Sequence, residues 1–142
     1  AIFASDGSIV SVVEGTIANC TARLGGAVFV AGFSGPSLLK DCVIRDNWAR
    51  QGGGAYFGPG LLSSETMTST VAHTVFTRNY ADNNGGALFL SDSMTTDPFC
   101  TNVTFDANTA RALGGALFVN TVSKTGFLSS CSFKNNTALA AG

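Results

Sequence analysis

The chain has 142 residues, of which 45% are hydrophobic and 12% are charged, and its net charge at pH 7 is -1. This composition is too apolar and too poor in charge for a disordered tail, so the chain must bury a core. Because it has no cluster of lysine or arginine, the sequence offers no electrostatic basis for binding nucleic acid. Its apolar stretches are far shorter than the roughly 20 residues needed to span a bilayer, so we expect no membrane insertion within these residues.

A motif of the form Gly-Gly-Ala-apolar-Phe recurs along the chain and defines its period. Internal repeats of this length indicate a solenoid or another repeat array. Successive motif alanines, starting from Ala1, are 26, 28, 32 and 29 residues apart, with 27 more across the junction from the last residue back to the first. Four copies begin at Gly25, Gly53, Gly85 and Gly114, and a fifth is formed across that junction by Ala141, Gly142, Ala1, Ile2 and Phe3.

A second motif, apolar-x-x-Asn-x-Ala, precedes the phenylalanine of each copy by about twelve residues. Aligning the copies produces columns of chemically similar residues, and four apolar columns are predicted to face inward. The phenylalanine column is predicted to be the main structural spine, because each buried phenylalanine contributes roughly 1.5–3 kcal/mol. The phenylalanine column is Phe3, Phe29, Phe57, Phe89 and Phe118; the others are Ile17, Ile44, Phe76, Phe105 and Phe133; Ala22, Ala49, Ala81, Ala110 and Ala138; and Val12, Leu39, Val71, Cys100 and Leu128.

Polar columns are expected at the surface and at the corners of the repeat. Asparagine tolerates left-handed backbone angles, and its amide can bond the next copy in a ladder. A corner and an amide ladder are therefore predicted at Asn47, Asn79, Asn108 and Asn136. Two further columns are predicted to face water: Asn19, Asp46, Arg78, Ala107 and Asn135, and Glu14, Asp41, His73, Asn102 and Ser130.

The fold predicted by these repeats is an all-β parallel solenoid. Paired glycines disfavour helices, whereas short apolar runs bounded by Gly, Asn, Asp and Ser indicate strands separated by turns. Each repeat then forms one coil, whose strands pair with their counterparts in neighbouring coils about 4.8 Å away. We predict a single β-helix segment over residues 1–142, with about five coils of 26–32 residues and no cap at either end. Because both ends divide a repeat, we interpret it as one unit of a longer tandem or end-to-end stacked array, with a surface loop from Gly58 to Ser69.

The paired motifs Gly-Gly-Ala-[Ile/Leu/Val] and Phe-x-x-Asn resemble the repeats of the polymorphic outer membrane proteins of chlamydiae. The resemblance covers essentially the whole chain, and it implies a right-handed parallel β-helix exposed outside the cell, in that family as an adhesin-like passenger. This sequence departs from the pattern at Tyr56, Cys20 and Ala141. The chain contains no autotransporter barrel sequence, so membrane attachment and adhesin activity are not carried over.

Three Asn-x-Thr sequons begin at Asn19, Asn102 and Asn135, and all three asparagines belong to the columns assigned to solvent. They predict covalently attached glycans if the protein is made by a eukaryote. The alternative is chance, because the chain is rich in asparagine and threonine.

The remaining reactive residues indicate no catalytic or metal centre. In the predicted register the four cysteines are too far apart to pair directly, which favours buried free thiols, although a bulge could bring one pair together. Their spacing from His73 matches no zinc site. The carboxylates are scattered over different coils, so we expect no enzyme activity and no cofactor.

Trp48 and Tyr80 occupy neighbouring coils, next to the asparagine corner. They either form a small patch for sugar stacking or lateral contact, or they merely cover the corner. We favour the second interpretation.

Three functional hypotheses follow from the sequence. The first is a structural, extracellular β-solenoid protomer that stacks end to end into a filament or stalk and carries glycans. The second is an adhesin-like passenger segment of a large cell-surface protein. A carbohydrate-active enzyme is the third, and it would require a cluster of carboxylates that the sequence lacks.

Overall fold

The computed structural model describes residues 1–5, 8–32, 36–58, 69–91, 99–120 and 127–140, which form twenty short β-strands and no helix. The chain begins with β1 (Ile2–Ser5). The first coil then contains β2 (Ser11–Val13), β3 (Thr16–Ala18), β4 (Thr21–Leu24) and β5 (Val28–Ala31), and the second contains β6 (Leu38–Lys40), β7 (Val43–Arg45), β8 (Trp48–Gln51) and β9 (Ala55–Gly58).

The third coil contains β10 (Thr70–Ala72), β11 (Val75–Thr77), β12 (Tyr80–Ala81) and β13 (Leu88–Leu90). The fourth contains β14 (Cys100–Thr101), β15 (Thr104–Asp106), β16 (Thr109–Ala110) and β17 (Leu117–Val119), and a partial coil follows with β18 (Leu128–Ser129), β19 (Ser132–Lys134) and β20 (Thr137–Ala138). The described residues therefore form four complete coils, and β1 together with β18–β20 supplies the strands of a fifth.

Strands that are equivalent in successive coils pair in parallel and build four sheets of five strands each. We name these sheets by their order in a coil: sheet 1 contains β2, β6, β10, β14 and β18; sheet 2 contains β3, β7, β11, β15 and β19; sheet 3 contains β4, β8, β12, β16 and β20; and sheet 4 contains β1, β5, β9, β13 and β17. The predicted parallel β-solenoid is confirmed.

Three of the four predicted inward columns form the core. In the middle coils their members are buried, as at Leu39, Ile44 and Phe76, and the register pairs each member with its predicted neighbours. The rings of Phe76 and Phe105 stack with centroids 5.3 Å apart. These columns are buried because one face of each short strand closes against the opposite sheets of the same coil.

The fourth column, the phenylalanine column, was predicted to face inward, and this prediction is wrong. Val28 and Val30 are fully buried on β5, so Phe29 between them points outward, because successive side chains of a strand alternate between faces. Phe3 is 72% exposed, Phe29 and Phe118 are partly exposed, and Phe89 is buried. The aromatic column is therefore an external stack, and the flanking aliphatic residues fill the interior.

The predicted membership of Phe57 in that column is also wrong. Tyr56 pairs with Phe29 and Phe89, whereas Phe57 pairs with Val30 and is fully buried in the adjacent inward column. The shift arises in the run of three glycines, where Gly52 adopts a positive φ of 63° like the first glycine of the other complete motifs. Gly54 thus occupies the position of the motif alanine. As a result Tyr56, and not Phe57, aligns with the phenylalanines of the other coils.

Two corners of every coil are built by residues in the left-handed backbone region. The ten non-glycine residues with positive φ, at 49–56°, are Glu14, Asp41, His73, Asn102 and Ser130 between sheets 1 and 2, and Asn19, Asp46, Arg78, Ala107 and Asn135 between sheets 2 and 3. These are the two polar columns predicted to face water. The prediction of left-handed angles at the Asn47 column is wrong, because the residue before each of those asparagines makes the turn and the asparagine itself points inward.

Candidate functional site

A buried ladder of side-chain amides runs along the corner between sheets 2 and 3. The Nδ2 of each asparagine donates to Oδ1 of the next, with distances of 3.0 Å from Asn47 to Asn79, 3.0 Å from Asn79 to Asn108 and 2.9 Å from Asn108 to Asn136. Each Oδ1 also accepts the backbone N–H of the preceding asparagine. Since the Nδ2 groups additionally donate to carbonyls one coil back, the ladder satisfies every polar atom of its buried amides and acts as a structural element.

Cys20 interrupts this ladder in the first coil. Its backbone N–H donates to Oδ1 of Asn47 at 3.0 Å, as an asparagine at this position would. Its thiol instead contacts the carbonyl of Ala18, with Sγ 3.4 Å from the oxygen. The first coil therefore keeps the backbone bond of the ladder and lacks the side-chain bond.

The outward aromatic column forms one continuous stack. Ring centroids lie 4.7 Å apart from Phe3 to Phe29, 5.3 Å from Phe29 to Tyr56, 5.0 Å from Tyr56 to Phe89 and 5.1 Å from Phe89 to Phe118. The ring planes differ by 6–25°. Because neighbouring rings cover each other's faces, the ring faces inside the stack are unavailable to a ligand, whereas Phe3 at one end is open.

The three sequon asparagines lie at exposed corners. Asn19, Asn102 and Asn135 have φ values of 55°, 52° and 52°, and each side chain faces solvent. Asn135 donates from Nδ2 to Oδ1 of Asp106 at 3.2 Å. Their placement provides the access that a glycan acceptor requires.

A charged cluster stabilises the same corner between sheets 2 and 3. Arg78 donates to both carboxylate oxygens of Asp46, at 2.7 Å and 2.9 Å, and Arg45 donates to one of them at 2.7 Å. The hydrogen bonds from Arg78 and then Arg45 lower the pKa of Asp46 to about 2. The cluster joins the second and third coils across the outside of the corner.

The cysteines are four free thiols, at Cys20, Cys42, Cys100 and Cys131. Burial, and to a smaller extent the neighbouring Cys131, raises the pKa of the Cys100 thiol well above its ordinary value. Such a thiol is a poor nucleophile. Among the described residues, no three His, Cys, Asp or Glu side chains come together as metal ligands. The part of the chain that the structure describes also contains no helix able to cross a membrane.

Part of the predicted sites falls outside the described residues. Ala141 and Gly142 at the predicted junction do so, as do positions 59–68 of the predicted loop. On the other side of the junction, Ile2 pairs with Val28 and Phe3 pairs with Phe29.

The outer face of sheet 3 contains a set of residues that the sequence analysis did not single out. The column after the alanines is Arg23, Arg50, Asp82, Arg111 and Leu139. A depression of about 250 Å³ lies on this face and is lined by Arg23, Leu24, Arg50, Gln51 and Asn83. Extending the alignment by one column past the alanines identifies the arginines, but the depression itself depends on how neighbouring coils meet.

The third coil gives the chain its similarity to a known family. Residues 73–91 match the family described as the Chlamydia polymorphic membrane protein (Chlamydia_PMP) repeat. The matched segment runs from the corner residue His73 to Ser91, directly after β13, and includes Asn79 of the ladder. No curated protein and no solved structure matches the chain. A repeat of this type within a β-solenoid fits a passenger segment of a surface protein, and the family points to the outer membrane or cell surface.

Proposed function

We propose that the chain is a structural, extracellular β-solenoid segment that stacks end to end with further copies into a filament or stalk. In this proposal it has no enzymatic activity, its partner is another copy of itself, and it carries glycans on Asn19, Asn102 and Asn135. The single observation that carries the proposal is that the first and last described coils leave core residues partly exposed, such as Ile17 in the first and Phe133 in the last, whereas the coils between them bury these columns.

One end surface belongs to β18–β20. Phe133 and Leu128 are 47% and 39% exposed there, whereas Phe105 and Cys100, their counterparts one coil earlier, are fully buried. Solenoid coils bury such residues by stacking, and a coil that no further coil covers leaves apolar side chains and unpaired backbone groups in water. A further coil placed on this surface would bury both side chains.

Sheet 4 is offset by one coil from the other three sheets, and this offset makes the two ends complementary. Sheet 4 begins at β1, one coil before sheets 1–3 begin, and sheets 1–3 extend to β18–β20, one coil beyond the last strand of sheet 4. Among the described residues, the last coil therefore has no strand in sheet 4. The strand β1 of a second copy would occupy that position. Parallel strand addition at such an edge provides backbone hydrogen bonds across the joint.

The external aromatic stack supports the same arrangement. Phe3 is the exposed end of the stack at β1, and Phe118 is its end at β17. In a head-to-tail pair, Phe3 of the second copy would follow Phe118 of the first at the ordinary spacing between coils. The amide ladder would not continue equally well, because Asn136 of one copy would meet Cys20 of the next.

Sedimentation velocity and negative-stain electron microscopy of the chain at increasing concentration test the stacking. We expect filaments whose axial repeat is about 24 Å per copy, which is five coils at about 4.8 Å. Phe133→Lys should abolish them, because it places a charge at the centre of the proposed interface. Val13→Lys is the matched control, since Val13 is exposed on a side face and pairs with Lys40 in the next coil.

The result of the control decides between stacking and lateral association. Filaments that survive Phe133→Lys and disappear with Val13→Lys would show lateral contacts instead. A chain that stays monomeric at every concentration would refute stacking between copies. Glycosylation is tested separately by mass spectrometry of protein isolated from its source, where loss of the added mass after Asn102→Gln identifies that acceptor.

An adhesin-like passenger segment is the second candidate, and the match of residues 73–91 to the polymorphic membrane protein repeat favours it. In that role the solenoid is a spacer within one long polypeptide, and recognition resides on its side faces. Binding of the intact surface protein to host cells, compared with a version lacking residues 59–68, tests this function. Unchanged binding would show that the loop predicted from the sequence is not the recognition element.

A further inference from the structure

The outer face of sheet 3 concentrates positive charge in a chain of net charge -1. Arg23, Arg50 and Arg111 occupy one outward column there, with Asp82 as the only acidic member. Within the described residues none of these three guanidinium groups forms an ion pair or a hydrogen bond, whereas those of Arg45 and Arg78 are both paired with Asp46. Three unpaired guanidinium groups on one face are available to an anionic ligand.

The depression on this face lies between coils of unequal length. In the first two coils the motif glycine follows the column alanine by three residues, from Ala22 to Gly25 and from Ala49 to Gly52. In the third coil the distance is four residues, from Ala81 to Gly85. Asn83 lies in this longer segment of the third coil, and it lines the depression together with Arg50 and Gln51 of the second coil.

The walls of the depression combine charged and neutral polar groups. Arg23 and Arg50 lie at equivalent positions of β4 and β8, about one strand spacing apart. Gln51 and Asn83 also line the depression, and both residue types carry amides that donate and accept hydrogen bonds. The backbone N–H of Asn83 donates to the carbonyl of Arg50 at 2.9 Å, which holds the third coil against the second.

An aromatic pair lies beside the depression on the same face. Trp48 precedes Arg50 by two residues on β8, so their side chains point to the same side of the strand. Trp48 is 40% exposed, and it pairs in register with Tyr80 of the next coil. Unlike the rings inside the external stack, an exposed indole can offer part of its face to an apolar surface of a sugar ring.

We propose that this surface, formed by Arg23, Arg50, Gln51 and Asn83 with Trp48 alongside, binds a polysaccharide containing uronic acids. The planar guanidinium fork matches a carboxylate in bidentate geometry. The two amides match sugar hydroxyls, and the indole packs against the ring. The site is on a side face, so it remains open in an end-to-end stack and does not depend on stacking.

The chain has one tryptophan, so Trp48 fluorescence reports directly on this surface. Titration with an oligogalacturonate of defined length should give a saturable change that dextran of similar length does not produce. Arg50→Gln and Arg23→Gln should each weaken binding roughly tenfold, since a charge-assisted hydrogen bond is lost. Asp82→Asn should tighten binding, because it removes the one negative charge in the column. That gain of affinity cannot result from misfolding.

Lys134→Gln is the control, since it removes one exposed positive charge from the outer face of sheet 2. An equal loss with Lys134→Gln, or equal binding of a single-stranded oligonucleotide, would show a non-specific polyanion surface and overturn the proposal. A response to dextran sulfate, which has sulfates and no carboxylates, without one to oligogalacturonate would overturn the choice of carboxylate. No fluorescence response to any of the polysaccharides, or one that Asp82→Asn leaves unchanged, would also overturn it.

Discussion

The side-chain amide of Asn79 donates to Oδ1 of Asn108 at 3.0 Å, and both side chains are almost completely buried. The same oxygen accepts the backbone N–H of Asn79 at 3.0 Å. From the second coil onward, one asparagine per coil thus satisfies both a side chain and a backbone group at the corner where sheet 2 turns into sheet 3.

Asn79→Ala should therefore destabilise the fold. The substitution leaves the buried backbone N–H of Asn47 without its acceptor, which costs about 1–3 kcal/mol in the free energy of unfolding. Urea denaturation followed by circular dichroism measures this cost. Asn83→Ala is the control, because Asn83 is half-buried and the change should stay within about 0.5 kcal/mol. Equal effects of the two substitutions would contradict a structural ladder.

Extending the ladder into the first coil should stabilise the protein. In Cys20→Asn, the new Nδ2 can donate to Oδ1 of Asn47, as Asn47 itself does to Asn79. We expect a gain of about 0.5–1.5 kcal/mol in the free energy of unfolding. Cys20→Ser, which keeps a small polar side chain, separates this gain from simple loss of the thiol. If the serine variant gains as much as the asparagine variant, the gain does not come from the ladder.

Core and surface aromatic residues should respond differently to truncation. Phe76→Ala removes a fully buried ring and should cost about 3–5 kcal/mol. Phe29→Ala removes a partly exposed ring from the external stack, and we expect a loss below that range because only part of its area and two stacking contacts disappear. Thermal and urea unfolding of both variants measures the difference. A larger loss at Phe29 would contradict the outward orientation of its column.

The charged corner should make stability depend on acid pH. The pKa of Asp46 is about 2 in the folded protein, below its ordinary value of 3.8, because Arg78 and Arg45 donate to it. Between these values the native state binds fewer protons than the unfolded state, so the contribution is present above pH 3.8 and is lost as pH falls toward 2. Comparing unfolding at several pH values across this window measures the effect.

Asp46→Asn should remove this part of the acid dependence, whereas Asp41→Asn should retain it. The carboxylate of Asp41 makes a single exposed contact with Lys40 at 3.7 Å, so it provides a matched change of charge at the other corner. Identical pH profiles for Asp46→Asn and the parent protein would show that the arginine contacts do not hold in solution.

The fold could be predicted from the sequence because its repeats constrain one another. Five aligned copies at Ile17, Ile44, Phe76, Phe105 and Phe133 can be superimposed only if each repeat is one coil and equivalent strands pair. The same alignment places mostly polar residues in the two corner columns, and they were therefore predicted to be exposed. At the corner between sheets 2 and 3, the left-handed angles were predicted for the Asn47 column, one residue after the residues that adopt them. The sequence does not distinguish an asparagine of the amide ladder from an asparagine that makes a turn.

The orientation of the aromatic column was not determined by the sequence. Around Phe29 both faces of the strand carry apolar residues, so alternation alone does not say which face closes on the core. The position of Phe57 was ambiguous because three consecutive glycines permit two alignments, and only the positive φ of Gly52 resolves them.

The sequence by itself determined the period, the parallel pairing and the exposed sequons, because these depend on spacing within each repeat. Tertiary structure alone decided which face of β5 is inside, and it alone brought Arg23, Arg50 and Asn83 to one depression. Both outcomes depend on contacts between residues far apart in the chain. Which side chains of a strand face inward is fixed when the coil closes, because only one set fits the interior. The depression lies between coils of unequal length, so it exists only once those coils are stacked.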